Sequence, residues 1–180
     1  MSLGAFKSAL GMSLYDNPLP NGDRWIMQRL TNVVHEYYDG WFDVLYRMQA
    51  RYRCKGGHDW TSSWTMILFR FYRNEKKHFG LIRLKRFGQR CAKCKDDREY
   101  YTGSCTNDEV WYITQCVLFH ILQKCYEKRP IRDLDVLPYI IGIQNVPSNK
   151  PGGMAHQREC CEACAANYCQ EMYKKLNKMQ

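Results

Sequence analysis

Two pairs of cysteines, each separated by two residues, constrain this chain more than any other feature of its sequence. The stretches QRCAKCK and CCEACAANYC contain Cys91 with Cys94 and Cys161 with Cys164. A C-x-x-C pair in a tight turn lets both thiolates bind one tetrahedral metal ion, and zinc prefers sulfur and imidazole donors. Two such pairs, about 70 residues apart, therefore predict zinc binding.

The ten cysteines could instead form disulfides if the protein were secreted. The first 25 residues, however, lack the apolar core that follows a basic start in a secretory signal peptide. No apolar run approaches the roughly 20 residues of a membrane span. We therefore expect a soluble, cytoplasmic chain whose thiols remain reduced.

Four further residues complete two sets of four ligands. Cys54 and His58 flank a turn that contains two glycines, and His156 and Cys169 flank the second C-x-x-C pair. Two closed Cys3His sites would hold two structural zinc ions. The eight predicted ligands are Cys54, His58, Cys91, Cys94, His156, Cys161, Cys164 and Cys169.

Two pairings satisfy this ligand count. In the first, residues 54–94 supply one site and residues 156–169 form a compact local site, whereas in the second the pairs interleave. We favour the first, because a local cluster needs little loop-closure entropy. Cys105 remains an alternative ligand for the first site, and Cys160 is expected to lie outside both.

Hydrophobic periodicity predicts the helical part of an α+β fold. Residues 1–22 are rich in Pro and Gly and are expected to form a flexible arm, followed by a single zinc-binding domain over residues 23–180. Apolar residues at helical spacing predict a first helix over residues 24–49. The capping-box pattern of Thr106 and Glu109 predicts a second helix, which should end near Arg129 because a proline follows.

A small antiparallel sheet is predicted between these helices. Residues 62–73 are rich in β-branched and aromatic side chains, and residues 81–87 alternate apolar residues with Arg83, Lys85 and Arg86. The polar stretch between the two segments is typical of a hairpin turn. We therefore predict an antiparallel sheet packed with helices and stabilised by the two zinc sites.

The positive charge of the chain is concentrated in one segment. Residues 51–100 contain 14 Lys and Arg against 5 Asp and Glu, which accounts for the whole net charge of +9. Cations mixed with aromatic rings are typical of single-stranded RNA sites, unless the rings face the core. We predict an RNA-binding or partner surface at Arg70, Arg73, Lys76, Lys77, Arg83, Lys85 and Arg86.

Enzymatic zinc motifs are missing from the sequence. His156 is not followed by the H-x-E pattern of zinc deaminases, and no H-E-x-x-H is present. A dithiol redox role for Cys91 and Cys94 is the main enzymatic alternative, but the stretch lacks the βαβ context of thioredoxin-like sites. We predict that the chain is not an enzyme.

Several of these features together resemble the receptor-transporting protein family, whose domain is called the 3CxxC-type zinc finger. They are FGQRCAKC, the aromatic-rich strands before it, HILQKCYEK, and the H-x4-C-E-A-C-x4-C spacing of residues 156–169. The resemblance runs from about Tyr38 to Cys169. The family's first C-x-x-C aligns with Cys54 to His58, where this sequence departs from the pattern.

The resemblance implies a chaperone-like accessory protein that helps G-protein-coupled receptors, including odorant and taste receptors, reach the cell surface. It implies contacts with receptor cytoplasmic segments, at the cytosolic face of the endoplasmic reticulum or plasma membrane, and no small-molecule substrate. Many members end in a C-terminal membrane anchor, so membrane association is expected only through partners or through such an anchor, if this chain is a trimmed member rather than an anchorless one. Some members are interferon-induced and bind viral RNA, so an RNA-binding antiviral effector is the alternative.

Overall fold

The computed structural model describes residues 3–31, 39–94, 98–126 and 156–169. Its longer elements, in chain order, are helix α1 (Leu3–Asp16), strands β1 (Arg24–Arg29), β2 (Trp41–Arg53), β3 (Asp59–Asn74) and β4 (Phe79–Arg86), and helices α2 (Asn107–Cys125) and α3 (Glu162–Ala165). Within these ranges, no helix has both the length and the apolar character needed to cross a membrane.

The four strands form one sheet in the order β1-β4-β3-β2. Short connections join β2 to β3 and β3 to β4, so these neighbours form antiparallel hairpins. The α+β class and the β3–β4 hairpin are therefore confirmed. The sheet is mixed rather than antiparallel, since β1 runs parallel to β4 with Ile26 beside Leu81. Side-chain alternation in a sequence carries no information on strand direction.

The helix predicted over residues 24–49 is wrong, because these residues contain β1 and most of β2. Burial in β1 has a period of two, with Trp25 and Met27 buried and Gln28 exposed. Trp25 lies over its register partner Gly80, where a Cβ would overlap the indole ring. Other residues that supported the helical prediction, Val33, Val34, Tyr37 and Tyr38, lie outside the described residues.

The flexible arm expected at the N-terminus is instead helix α1 over residues 3–16. Its buried residues include Phe6, Leu10 and Ser13, which lie on one face of the helix. Phe6 packs edge-on against Phe69 of β3, with ring centroids 5.8 Å apart. The contact with the sheet stabilises a helix whose own sequence gives a weak signal, because Gly and Ser lower helix propensity.

The predicted capping box begins α2. The Thr106 hydroxyl accepts a hydrogen bond from the Glu109 amide at 3.2 Å, and Glu109 Oε2 accepts one from the Thr106 amide at 2.7 Å. The helix buries Val110, Ile113 and Val117 among others. It ends at Cys125, ahead of the predicted end near Arg129, which lies outside the described residues.

The chain divides into two compact units. The first falls within residues 1–46, 68–85 and 106–134 and contains α1, β1 and α2. The second falls within residues 47–67, 86–105 and 135–180 and contains all eight predicted zinc ligands. Strands β2 and β3 contribute residues to both units. The domain boundaries predicted from the sequence stay a prediction.

A buried carboxylate organises the polar contacts of the first unit. The Asp23 side chain has no exposed surface and accepts hydrogen bonds from Arg73 Nε at 2.6 Å and the Tyr126 hydroxyl at 2.7 Å. His78 Nδ1 lies 3.0 Å from the other carboxylate oxygen. Arg73 also lies over the Tyr126 ring and donates to the Cys125 carbonyl oxygen. The start of β1, the end of β3 and the end of α2 therefore share one ion-pair network.

Candidate metal centres

The first candidate metal centre is built on the connection between β2 and β3. Cys54 directly follows β2, and His58 directly precedes β3. The Cys54 amide donates to the His58 carbonyl oxygen at 3.0 Å, which closes the turn. Gly57 has φ 78°, a left-handed conformation that glycine adopts without steric cost. This turn brings both side chains to Cys91 and Cys94, which lie in the loop after β4.

The four donor atoms of this first centre all lie within 4.8 Å of one another. His58 Nδ1 lies 3.5 Å from Cys54 Sγ, 3.6 Å from Cys91 Sγ and 3.3 Å from Cys94 Sγ. Cys54 Sγ and Cys94 Sγ are 3.8 Å apart. Tetrahedral zinc, with bonds of about 2.3 Å to sulfur and about 2.0 Å to nitrogen, separates its ligands by roughly 3.5 to 3.8 Å. The donors therefore fit zinc, and the sulfurs lie too far apart for a disulfide bond of about 2 Å.

Gly56 keeps the space between these donors clear. A Cβ at this position would lie 3.1 Å from Cys94 Sγ, 3.6 Å from His58 Nδ1 and 3.7 Å from Cys54 Sγ. A side chain would therefore project among the ligand atoms. The two consecutive glycines have separate roles, because Gly57 permits the turn and Gly56 makes room for a metal ion.

The second candidate centre uses donors from residues 156–169 alone. The donor atoms of His156, Cys161, Cys164 and Cys169 lie within 4.8 Å of one another. His156 Nε2 is 3.1 Å from Cys164 Sγ, and Cys161 Sγ is 3.8 Å from Cys169 Sγ. These separations also suit one tetrahedral zinc ion.

Neighbouring thiols in the second centre compete for protons. The hydrogen bond from Cys169, assisted by His156, lowers the pKa of Cys161 to about 4. The same Cys161 contact, together with burial, raises the pKa of Cys169. A divalent cation relieves this competition, because it favours the thiolate at all three ligating cysteines.

The first centre shows the same division between its thiols. Burial and the neighbouring thiols of Cys54 and Cys91 raise the pKa of Cys94 to about 12. For Cys91, burial raises the pKa, but hydrogen bonds from the backbone of Lys93 and Cys94 and from nearby thiols outweigh it and lower the pKa overall. In each centre, one cysteine is therefore the favoured thiolate and its neighbour the favoured thiol.

All eight predicted ligands come together, in the first of the two pairings considered from the sequence. The interleaved pairing does not occur. Cys105 and Cys160 belong to neither donor set among the residues that the structure describes. The His58 imidazole takes the place that a thiolate would have in a regular C-x-x-C pair.

Sequence reasoning missed an aromatic support of the second centre. The His156 ring packs against Trp64 with centroids 5.2 Å apart, and the Arg47 guanidinium lies 4.4 Å from the Trp64 ring centroid. Trp60 and Trp64 are four residues apart on β3, which places them on one face of the strand. That spacing was visible in the sequence, but nothing in it indicated a contact with His156.

The predicted basic surface is largely occupied by contacts within the chain. Arg70 is buried and donates to both carboxylate oxygens of Asp43, at 2.7 and 2.8 Å. Arg73 belongs to the Asp23 network. Arg86 donates to the Gly103 carbonyl oxygen at 3.0 Å.

The remaining cations of this surface differ in exposure. Lys76 and Lys77 are exposed in the turn between β3 and β4, and Lys85 is partly buried. Arg83 lies 4.8 Å from the centroid of the Trp41 ring. Five aromatic rings are mixed with these cations in the sequence. Phe69, Phe71 and Phe87 are buried core residues, whereas Tyr72 and Phe79 are partly exposed.

Comparisons with known proteins agree with this geometry. The chain matches a family model described as a zinc-binding domain, the 3CxxC zinc ribbon, over residues 47–167. It is 30% identical over 131 residues to Receptor-transporting protein 3 of Mus musculus, covering 72% of this chain and 26% of that protein. It is 28% identical to Receptor-transporting protein 4 of Homo sapiens, covering 72% of this chain and 50% of that protein.

A third relative gives a similar result. Receptor-transporting protein 4 of Mus musculus is 28% identical over 149 residues, which cover 81% of this chain and 56% of that protein. The chain thus spans between about a quarter and just over half of the length of these relatives. No solved structure matches the chain.

The family match includes all the predicted ligands except Cys169, which lies two residues beyond its end. It confirms the prediction of zinc as cofactor, and the two donor clusters account for two ions. The chain therefore belongs to the 3CxxC zinc-ribbon family, the family of the receptor-transporting proteins.

Proposed function

We propose that this chain is a zinc-stabilised accessory protein that promotes the trafficking and cell-surface expression of G-protein-coupled receptors, chemosensory receptors included. One observation carries the proposal: two four-donor clusters are present, and seven of their eight donors lie within the segment, residues 47–167, that matches the zinc-binding family of the receptor-transporting proteins. The relatives' name describes an action on receptors, and the similarity supports the same class of action here.

We infer that the chain acts as a scaffold and not as an enzyme. Catalytic zinc is held by three protein ligands and keeps a fourth position for water or substrate, whereas each centre here offers four protein donors. Zinc in such a centre stabilises the fold. The grouping of Cys91 and Cys94 with two further donors also favours metal ligation over dithiol redox chemistry.

The proposed partners are the cytoplasmic segments of receptors at the cytosolic face of the endoplasmic reticulum or plasma membrane. A reducing compartment suits a protein whose cysteines act as metal ligands. RNA binding stays a prediction, and its support is weaker because Phe69, Phe71 and Phe87 are buried in the core. Of the rings on which the prediction depended, Tyr72 and Phe79 are partly exposed.

Co-expression with a panel of tagged chemosensory receptors tests the proposal. We expect a severalfold rise in surface labelling of at least one receptor on unpermeabilised cells, at equal total receptor. The Cys160→Ser variant should act like the parent chain, whereas Cys161→Ser should lose the effect with its metal centre. An unchanged surface level across the panel, or full activity of Cys161→Ser, would contradict the proposal.

A further inference from the structure

Three hydrogen bonds join the loop of the first metal centre to the segment that contains the second. The Arg90 amide donates to the Cys160 carbonyl oxygen at 2.7 Å, and the Glu162 amide donates to the Gly88 carbonyl oxygen at 3.1 Å. The Gly88 amide donates to Glu162 Oε2 at 2.6 Å. This ladder ends one residue before the ligand Cys91 and surrounds the ligand Cys161.

Gln89 lies at the middle of this ladder. Its backbone forms isolated antiparallel β-bridges with Tyr101 and with Cys161. Its buried side chain donates from Nε2 to Ser62 Oγ at 2.8 Å and to the Trp64 carbonyl oxygen at 3.2 Å. Its Oε1 accepts from Trp60 Nε1 at 3.2 Å. The Gln89 side-chain amide therefore holds β3 in a fixed position relative to the loop of the first centre. Because β3 contains Trp64, the same hydrogen bonds also position the ring that packs against His156.

Gly88 shows how closely the segments of this region approach each other. A Cβ at Gly88 would lie 2.8 Å from the Tyr101 carbonyl oxygen and 2.9 Å from Tyr100 Cβ. Since glycine alone fits, the loop that carries the ladder residues 88–90 packs directly against the 100–101 segment.

We propose that Gln89 and Glu162 are positioning residues that couple the two metal centres, so that zinc bound at either centre raises the affinity of the other. Metal at Cys91 and Cys94 fixes the loop that presents Gly88 and Arg90 to the second segment. The entropy cost of ordering that segment is then reduced before its own metal binds. By thermodynamic linkage the effect is equal in both directions.

Native mass spectrometry of the full chain, titrated with zinc alone, tests this coupling. If the centres are coupled, a chain that has bound one zinc ion binds the second more tightly. At one equivalent of zinc, we therefore expect a smaller fraction of one-zinc chains in the parent protein than in the Gln89→Ala or Glu162→Ala variant. Glu162→Gln should restore the parent distribution, because its amide oxygen can accept the Gly88 bond. Glu159→Ala, an acidic residue of the preceding turn, is the matched control and should resemble the parent.

A thermodynamic cycle gives the size of the effect. Cys164→Ser disables the second centre. In the parent chain this substitution should weaken zinc binding at the first centre about tenfold, whereas in a chain that already carries Glu162→Ala it should change that affinity little. The readout is competition with a chromophoric chelator. Equal effects in the two backgrounds would overturn the proposal. So would complete loss of zinc binding in Glu162→Ala, since a positioning residue is not a donor.

Discussion

Replacing Cys161 by Ser is expected to reduce the zinc content to at most one ion per chain, whereas replacing the adjacent Cys160 by Ser should leave two. Cys161 is a buried member of the second donor cluster, while Cys160 lies outside it. Structural zinc contributes roughly 10 to 16 kcal/mol in small zinc-finger peptides, so the loss of one centre should unfold the segment that depends on it. Elemental analysis of purified protein measures the zinc content, and circular dichroism follows the unfolding.

The two substitutions form a matched pair, because they make the same chemical change at consecutive positions. Equal zinc content in both variants would show that the ligand assignment is wrong. Parent protein without metal and with oxidised thiols would contradict the zinc centres as a whole. Chelation of the parent should reproduce the unfolding at both centres.

Replacing Asp23 by Ala is expected to lower the free energy of unfolding by roughly 3 kcal/mol or more, the usual cost of breaking a buried ion pair. The substitution leaves the buried Arg73 guanidinium without its closest carboxylate and also removes the acceptor of the Tyr126 hydroxyl. Glu75→Ala is the matched control, because Glu75 contacts the same guanidinium with a side chain that is 76% exposed. It should change stability little. Denaturant unfolding of the zinc-loaded variants measures both, and equal losses would contradict the role given to Asp23.

The Asp23 carboxylate should also make the stability of the protein depend on pH under acidic conditions. Burial alone would raise the pKa of Asp23, but hydrogen bonds from Tyr126, Arg73 and His78 outweigh it and hold the pKa below the usual 3.8. Because the folded-state pKa is the lower one, the stabilisation is complete above about pH 4 and is lost as the pH falls through the folded-state value. The stability difference between the parent and Asp23→Asn should therefore shrink below about pH 4. A difference that stays constant with pH would contradict this.

The candidate site was largely predictable because metal ligation constrains sequence spacing directly. Metal ligands in a tight turn are separated by two to four residues. Cys91, Cys94, Cys161 and Cys164 could therefore be recognised as candidate ligands without knowledge of the fold. The glycines between Cys54 and His58 indicated the turn that the structure shows. The capping box at Thr106 was equally local, since both of its hydrogen bonds form within four residues.

The errors concern features that depend on contacts between distant residues. The burial of α1 depends on Phe69, which is 63 residues from Phe6. The basic surface was overestimated because β3 is buried at every position from Thr65 to Phe71, which alternation along one strand does not indicate. The partner of Arg70 is Asp43, 27 residues away, and no local pattern links them.

The two centres present different nitrogens to their sulfurs, Nδ1 from His58 and Nε2 from His156. A neutral imidazole that ligates through one nitrogen carries its proton on the other. Zinc-loaded protein should therefore contain His58 as the Nε2–H tautomer and His156 as the Nδ1–H tautomer. Long-range ¹H–¹⁵N correlation spectra distinguish these tautomers, so the occupancy of each centre can be followed separately in the parent chain without a substitution.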